Sequence, residues 1–276
     1  MSCCCCSGVL IAGAVLVAIL AKFYFGKQQN EKPKLKKEDY ERDIVYLFQF
    51  KRSEELPNIS PSCMKVETFL RAHKIQYEVV ENNFQRSQKG FLPFIELNGE
   101  QIADSEFIIE HLSKHFNIKE NAPKEVSAAG RAVSRMFDTE VSKIHLAFKR
   151  KEDEFIKLFL IGIPGFLIPL VIPVAKWFMK KKLGPYGDFS DAELKQLYRR
   201  NLQATSDLLE DKKFFGGNEP ISADFFVSGH LISLYYLRYP NELKCIIDEF
   251  PNLKRLMNTV IREYYAEFDI AKRLVD

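Results

Sequence analysis

The stretch ELPNISPSCMKVETFLRAHKIQYEVVE, residues 55–81, contains one complete helix signal and the strand signal that follows it. Ser60 precedes Pro61, and serine is a preferred N-cap residue, while proline is favoured in the first turn of a helix. Apolar residues then recur at close to helical spacing as far as Ile75. The run IQYEVVE, residues 75–81, is rich in β-branched and aromatic side chains, which is typical of a strand. The stretch therefore predicts a helix followed by a strand.

Strand signals also lie on either side of this helix and strand. DIVYLFQF, residues 43–50, has the length and composition of a strand, and so does the shorter run at residues 94–97. Asn98-Gly99 is the strongest short signal for a type I′ hairpin, which predicts a return strand at residues 101–103. The sequence therefore predicts four strands in its first half.

A second helix follows the hairpin in ADSEFIIEHLSKHF, residues 103–116, where Asp104 or Ser105 can cap the first turn. This completes an α/β domain over residues 43–118. Beyond a polar hinge that contains a proline, the strand signals disappear, so residues 125–276 are expected to form a separate all-helical domain.

The N-terminus predicts a membrane anchor with a cysteine cluster over residues 1–27, followed by a charged linker over residues 28–42. Lysines follow the apolar run instead of preceding it, which favours a retained single-pass anchor with the body of the protein in the cytosol over a cleaved signal. Cys3 to Cys6 are candidates for S-acylation beside the membrane, for soft-metal capture, or for an inert apolar cap.

The amino-acid composition argues against several classes of function. The net charge is only +3 and both signs are interspersed, so nucleic-acid binding is not expected. Four of the six cysteines are consecutive, which is unlike a secreted disulfide framework. The five histidines are scattered without a zinc-protease pattern, so no metal site is predicted among them.

Residues 158–175 form an uncharged run with three prolines, flanked by lysines at both ends. Because both flanks are basic, a simple membrane span is disfavoured, and a shallow hairpin at a membrane surface fits the charges better. The alternative is a buried core segment or the wall of an apolar pocket. Both interpretations stay open at the level of sequence.

Three motifs together carry a resemblance to a known family: SPSCMKVETFLRAHKI, FLPFIELNGEQIADSEFIIEHL and FFGGNEPISADFFVSGHL. They resemble the glutathione-transferase superfamily over residues 43–276, and more narrowly its failed-axon-connections and metaxin branch. The cysteine-rich apolar N-terminus is most similar to the cadmium-responsive lysosomal proteins of that branch. The resemblance implies a thioredoxin-like N-terminal domain followed by a glutathione-transferase-like helical domain.

The resemblance also implies a set of site residues. Pro93 matches the family's cis-proline, and Leu92 would offer its backbone to the cysteinyl part of glutathione. Asp104 and Ser105 match the pair that holds the γ-glutamyl end, although the same pair can simply cap a helix. Glutathione is therefore the expected ligand, as a substrate.

Ser60 matches the family position of a catalytic serine or cysteine, and Cys63 lies three residues later. Ser60 would stabilise the thiolate of bound glutathione, or it would act only as an N-cap. Cys63 would be a reactive thiolate favoured by the helix N-terminus, or small core filling.

Two function classes follow. One is a membrane-associated protein that binds or conjugates glutathione in a metal or xenobiotic stress response, with an apolar small molecule as acceptor. The other is a non-catalytic, metaxin-like module for protein or lipid contacts at a membrane. The resemblance suggests a lysosomal membrane location, and a homodimer is a candidate assembly.

Overall fold

A computed structural model describes residues 34–53, 56–82, 85–158, 160 and 164–274. The predicted anchor and cysteine cluster at residues 1–27 lie outside these ranges. Within them, no helix combines the length and the apolar character needed to cross a membrane. The second half of the predicted linker contacts the first domain, because the backbone N–H groups of Lys36 and Lys37 each donate to the Glu96 carboxylate at 2.9 Å.

The N-terminal domain has one four-stranded sheet and two helices. The sheet order is β2-β1-β3-β4, in which β1 pairs parallel with β2 and antiparallel with β3, and β3 pairs antiparallel with β4. This is the predicted thioredoxin-like arrangement. Its elements are β1 (Val45–Gln49), α1 (Pro61–Ala72), β2 (Tyr77–Glu81), β3 (Phe94–Leu97), β4 (Glu100–Ala103) and α2 (Ser105–His115).

Local chemistry explains why these elements begin and turn where they do. Ser60 is the N-cap of α1, with Pro61 in the first turn, as predicted. Asn98 and Gly99 both have positive φ, 49° and 83°, which is the backbone that a type I′ hairpin requires. Asp104, and not Ser105, is the N-cap of α2.

The remainder of the described chain is helical, as expected from the loss of strand signals. Its elements are α3 (Lys124–Met136), a π-helical segment (Phe137–Val141), α4 (Ser142–Lys149), α5 (Asp153–Lys157), a 3₁₀ turn (Gly165–Leu167), α6 (Ile168–Leu183), a 3₁₀ turn (Gly184–Gly187), α7 (Asp191–Leu209), α8 (Ser222–Tyr235), α9 (Leu243–Asp248), α10 (Pro251–Tyr264) and a final 3₁₀ turn (Asp269–Arg273). Helix α8 lies at the centre of this domain and is buried almost throughout.

The two domains meet where α1 packs against α8. A methyl group at Gly229 of α8 would lie 3.1 Å from the Pro61 carbonyl oxygen and 3.3 Å from the Met64 Cβ, so the helices approach closely because position 229 has no side chain. A buried hydrogen bond of 2.9 Å between the hydroxyls of Thr68 and Tyr265 adds a polar contact between the domains.

A buried carboxylate on α1 ties the helix to the sheet. Glu67 has no exposed surface and accepts hydrogen bonds from the Gln49 side chain at 2.8 Å and the Tyr77 hydroxyl at 3.2 Å. Its oxygens also pair with Arg52 at 2.7 Å and Arg71 at 3.0 Å. Burial acts to raise the pKa of Glu67, but the arginines and these hydrogen bonds outweigh it and hold the pKa below its usual value of 4.5.

Replacing this carboxylate is therefore expected to destabilise the protein. Glu67→Gln should lower the free energy of unfolding at neutral pH by about 3 kcal/mol, because it removes the buried carboxylate that two partly buried guanidinium groups share and leaves them only their more exposed second partners, Glu81 and Glu267. Since the folded-state pKa is depressed, the contribution of Glu67 is complete above its unfolded pKa of 4.5 and is lost as the pH falls through the folded value. Urea unfolding at a series of pH values measures both effects.

The matched control is Glu110→Gln, which removes an exposed carboxylate that pairs with Lys114 one turn away on α2. Its effect should stay within about 0.5 kcal/mol. Equal unfolding free energies for wild type and Glu67→Gln at neutral pH would contradict the stabilising role of the buried network.

The described part of residues 158–175 combines features of both interpretations that the sequence left open. Val171 and Ile172 are buried, as expected of a core segment. Phe166 and Leu170, however, are 79% and 63% exposed. Helix α6 continues through Pro173 to the basic flank. The segment therefore packs on the helical domain with one apolar side and presents another to the surface.

Candidate functional site

The candidate site is a groove with α1 and α2 on one side and, on the other, the continuous segment formed by α3, the π-helical segment and α4. It contains two clefts, which we name after the predicted site residue that lines each. The Asp104 cleft has a volume of about 520 Å³, and the Ser60 cleft a volume of about 280 Å³. Lys65 of α1 lines the first cleft and Pro61 lines the second, one turn away.

The other side of the groove also contributes one residue to each cleft. Arg135 lines the Asp104 cleft and Asp138 lines the Ser60 cleft. These two side chains form an ion pair of 2.6 Å, which bridges the boundary between the clefts. The two clefts are therefore neighbouring compartments of one groove between the domains.

The Asp104 cleft is built on the N-terminus of α2. Asp104 has a φ of 82°, a conformation that non-glycine residues rarely adopt, and its Oδ1 accepts from the Glu106 N–H at 2.9 Å. The Ser105 hydroxyl has no intramolecular hydrogen-bond partner among the described residues. The start of α2 therefore offers a carboxylate, a hydroxyl and first-turn N–H groups to a ligand.

Both signs of charge line this cleft. Lys65, whose side chain is 2% exposed, forms an ion pair with Glu106, and Arg131 also pairs with Glu106 at 3.1 Å. The Lys65 ammonium lies 4.5 Å from the centre of the Phe226 ring. Burial lowers the pKa of Lys65, and Glu106 acts in the opposite direction. Such a mixed surface suits a zwitterionic ligand more than a simple anion or cation.

Leu92 and Pro93 are joined by a cis peptide bond, as predicted. They lie just before β3, whose ladder with β4 starts at the pair Phe94 and Ala103. The backbone N–H and C=O of Leu92 form no hydrogen bond with the other described residues. This unpaired backbone at the end of a strand can receive an extended peptide.

Ser60 can be reached by a ligand in the cleft, whereas Cys63 is buried. Ser60 lines its cleft at the start of α1, and its hydroxyl accepts a long hydrogen bond of 3.5 Å from the Cys63 N–H. Cys63 is fully buried, and burial raises the pKa of its thiol to about 11 despite the opposing hydrogen bond from Ser60. The geometry thus presents Ser60, and not Cys63, to a ligand, and a catalytic role for Cys63 stays a prediction without structural support.

Thiol alkylation tests this difference. In the native full-length protein, iodoacetamide should modify the exposed Cys245 and leave Cys63 unmodified, because a buried thiol with a raised pKa supplies almost no thiolate. Peptide mass spectrometry measures both sites in one sample, and Cys63 should become reactive in urea. Equal native modification of Cys63 and Cys245 would show that Cys63 is an accessible nucleophile.

Sequence patterns did not predict a group of basic residues on the far wall of the Ser60 cleft, which is formed by α4 and α8. His145 and Lys149 of α4 and His230 of α8 all line it, and all three are at least 95% buried. His145 forms a hydrogen bond of 3.0 Å with the buried Tyr198 hydroxyl. The spacing of His145 and Lys149, four residues apart in the mainly apolar run IHLAFK, residues 144–149, was the available signal.

The structure brings the predicted site residues together only in part. Ser60 and Asp104 line neighbouring clefts of one groove, whereas Leu92, Pro93 and Ser105 line neither cleft. Within the ranges that the structure describes, no three metal-ligating side chains form a candidate metal site. The predicted cysteine cluster lies outside those ranges.

Comparisons with known proteins agree with this architecture. A family model described as glutathione S-transferase N-terminal domain matches residues 61–155, and one described as glutathione S-transferase, C-terminal domain matches residues 198–260. Failed axon connections of Drosophila melanogaster is 34% identical over 219 residues, which cover 73% of this chain and 52% of that protein. A metaxin-1 homolog of Caenorhabditis briggsae is 37% identical over 86 residues, 31% of this chain and 28% of its own length.

Solved structures show the same fold. A glutathione S-transferase from Methylobacterium radiotolerans, determined in complex with glutathione sulfonate, matches with a TM-score of 0.56 at 19% identity. The match covers 82% of this chain and 94% of that one. The chain spans about half the length of failed axon connections, 52%, and a smaller part, 28%, of the metaxin-1 homolog.

Proposed function

Because this chain belongs to the glutathione S-transferase superfamily, in the branch of failed axon connections and metaxin, we propose that it binds glutathione in the groove beside α1 and conjugates it to a small acceptor. The observation that carries this proposal is the start of α2. There the Asp104 carboxylate lines a cleft of about 520 Å³ that has both signs of charge, and the next residue, Ser105, adds a hydroxyl without a hydrogen-bond partner among the described residues.

Each part of glutathione has a chemically suitable partner. Asp104 would pair with the γ-glutamyl ammonium group, and Ser105 with the first-turn N–H groups would receive the γ-glutamyl carboxylate. The unpaired backbone of Leu92 would bond to the cysteinyl amide in the manner of an added strand. Pro93 follows Leu92 and directly precedes β3. The glutathione sulfonate complex of the Methylobacterium radiotolerans glutathione S-transferase supports this assignment by fold alone.

Ser60 would then act on the thiol. Its hydroxyl would donate a hydrogen bond to the sulfur as the thiol loses its proton to solvent, which lowers the thiol pKa and favours the attacking thiolate. The thiolate forms a carbon–sulfur bond with an electrophilic carbon, and the displaced electron pair leaves with the leaving group. The Ser60 cleft holds the acceptor in this scheme. A role in metal or xenobiotic stress remains a prediction from the resemblance.

Two serine substitutions separate binding from activation. With the full-length protein, Ser105→Ala should weaken glutathione binding by about tenfold, since it removes a hydrogen bond to a carboxylate. Ser60→Ala should bind glutathione almost normally but lower the thiolate fraction and reduce kcat by about a hundredfold. Isothermal titration measures binding, and the ultraviolet absorbance of the thiolate against pH measures the thiol pKa in the complex.

Because Ser60 is also the N-cap of α1, Ser60→Ala removes a helix cap as well as the proposed catalytic hydroxyl, and the effect of losing a cap needs its own control. Ser190→Ala removes the N-cap of α7, away from the groove, at a similar expected cost of about 1 kcal/mol. It should leave glutathione binding and the thiol pKa unchanged. The absence of glutathione binding by wild type at millimolar concentration would overturn the proposed function, while an unchanged thiol pKa in Ser60→Ala would remove only the role of Ser60.

A second feature favours membrane contact, the alternative function class. Phe166, Leu170 and Trp177 are 79%, 63% and 56% exposed, and Leu170 and Trp177 are seven residues apart and so share one side of α6. Three exposed lysines at residues 180–182 follow them. An exposed apolar side with a tryptophan and a basic flank is the composition of a helix that lies in a lipid interface. We infer that this side of α6 contacts an anionic bilayer.

Trp177 reports directly on this contact, because it is the only tryptophan in the chain. When the full-length protein is added to vesicles with anionic lipid, Trp177 emission should shift to shorter wavelength and be quenched by brominated lipid. Leu170→Ser should weaken the quenching, whereas Tyr40→Ser, which removes an exposed ring from the other domain, should not. Protein that binds vesicles with unquenched Trp177 would show that α6 faces away from the lipid.

A further inference from the structure

The far wall of the Ser60 cleft is a buried basic surface. Lys149 and His145 lie one turn apart on α4, and His230 of α8 faces His145 with 5.8 Å between the ring centres. Their exposed fractions are 5%, 3% and 4%. Three basic side chains thus meet at one end of a cleft that is otherwise largely apolar.

This surface has unused hydrogen-bonding capacity. The Nδ1 atoms of His145 and His230 are buried and have no hydrogen-bond partner among the described residues. The Lys149 ammonium donates to the Ser233 carbonyl oxygen at 3.0 Å and has two further N–H groups. Buried polar atoms in native proteins are nearly always partnered, so these atoms are available to bind a ligand.

No carboxylate among the residues lining the cleft offsets these basic groups. Asp138, the acidic residue in that lining, is already paired with Arg135 at 2.6 Å. Without a neighbouring anion, burial lowers the pKa of Lys149 to about 7 and the pKa of His230 to about 3. An anionic group that entered the cleft would find donors and no competing acid.

We propose that this wall is an anion subsite, in which Lys149 and the two imidazoles bind the carboxylate of a small, otherwise apolar acid. The apolar part of the ligand would contact the remaining lining, which includes Phe50, Ile59, Pro61, Leu146 and Phe155. The volume of about 280 Å³ lies just below the usual range for drug-sized ligands, so the ligand is small. Binding of this acid does not depend on the proposed function. Only its role as the acceptor that receives glutathione rests on that function.

The probe is phenylbutyrate, with phenylbutanol as its uncharged counterpart, titrated into the full-length protein without glutathione. Phenylbutyrate should bind about tenfold or more tightly than phenylbutanol, because it gains charge-assisted hydrogen bonds. Lys149→Met keeps the apolar stem and removes the ammonium, so it should abolish the preference for the acid. Lys157→Met, which removes an exposed lysine from the adjacent α5, should retain it.

Proton uptake gives a second readout that does not require a variant. At about pH 8 free Lys149 is mostly neutral, and a bound carboxylate favours its ammonium form, so binding should take up close to one proton. Calorimetry in buffers of different ionisation enthalpy measures this uptake. Burial lowers the pKa of His145 and His230 and raises the pKa of Tyr198, so these three neighbours stay neutral in this range. The charged side chains nearby form ion pairs: Asp138–Arg135, Lys176–Asp153 and Lys151–Asp191.

The outcomes are distinct. Equal binding of acid and alcohol, no binding of either, or a preference that survives in Lys149→Met would overturn the subsite. If Lys149→Met does not unfold cooperatively, the acid preference and proton uptake of the wild type decide the question. The phenylbutyrate titration contains no glutathione, so it tests the subsite separately from the proposed function. Binding of phenylbutyrate but not of glutathione would support the subsite and contradict the proposed function.

Discussion

The packing of α1 between the sheet and α8 is the constraint on which the rest of this structure depends. The backbone of α1 approaches α8 closely only because residue 229 is a glycine. On its other side, α1 carries Glu67 into the sheet, where two arginines and two neutral donors satisfy it. One helix therefore fixes the position of the sheet relative to the helical domain, and so the width of the groove beside it.

The groove follows from this packing, and one ion pair lies at the boundary between its two clefts. Arg135 and Asp138 lie one turn apart on a continuous helical segment and face different compartments. The compartment at the start of α2 is polar and mixed in charge, as a zwitterionic peptide requires. The compartment at the start of α1 is apolar with a basic wall. The same two helices thus offer a peptide site and a site for an apolar acid.

Local signals were sufficient for much of the fold. Ser60 with Pro61, and Asn98 with Gly99, act through their own backbone preferences, so the start of α1 and the hairpin were predictable residue by residue. The choice between Asp104 and Ser105 as the cap of α2 was not, because both side chains can accept the same hydrogen bond. Residues 158–175 were ambiguous because an apolar pattern does not reveal which side another helix covers.

Caps, turns and periodicity act over a few residues, so the amino-acid sequence alone predicts the element order, the two domains and the residues around which a ligand site is proposed. Which of those residues are accessible depends on tertiary packing. Cys63 and Ser60 are three positions apart, yet burial raises the pKa of one and leaves the other on a cleft wall. Lys149 belongs to a charged run in the sequence, and the packing of α4 encloses it beside two histidines. Burial depends on contacts between distant segments, and such contacts leave no local pattern to read.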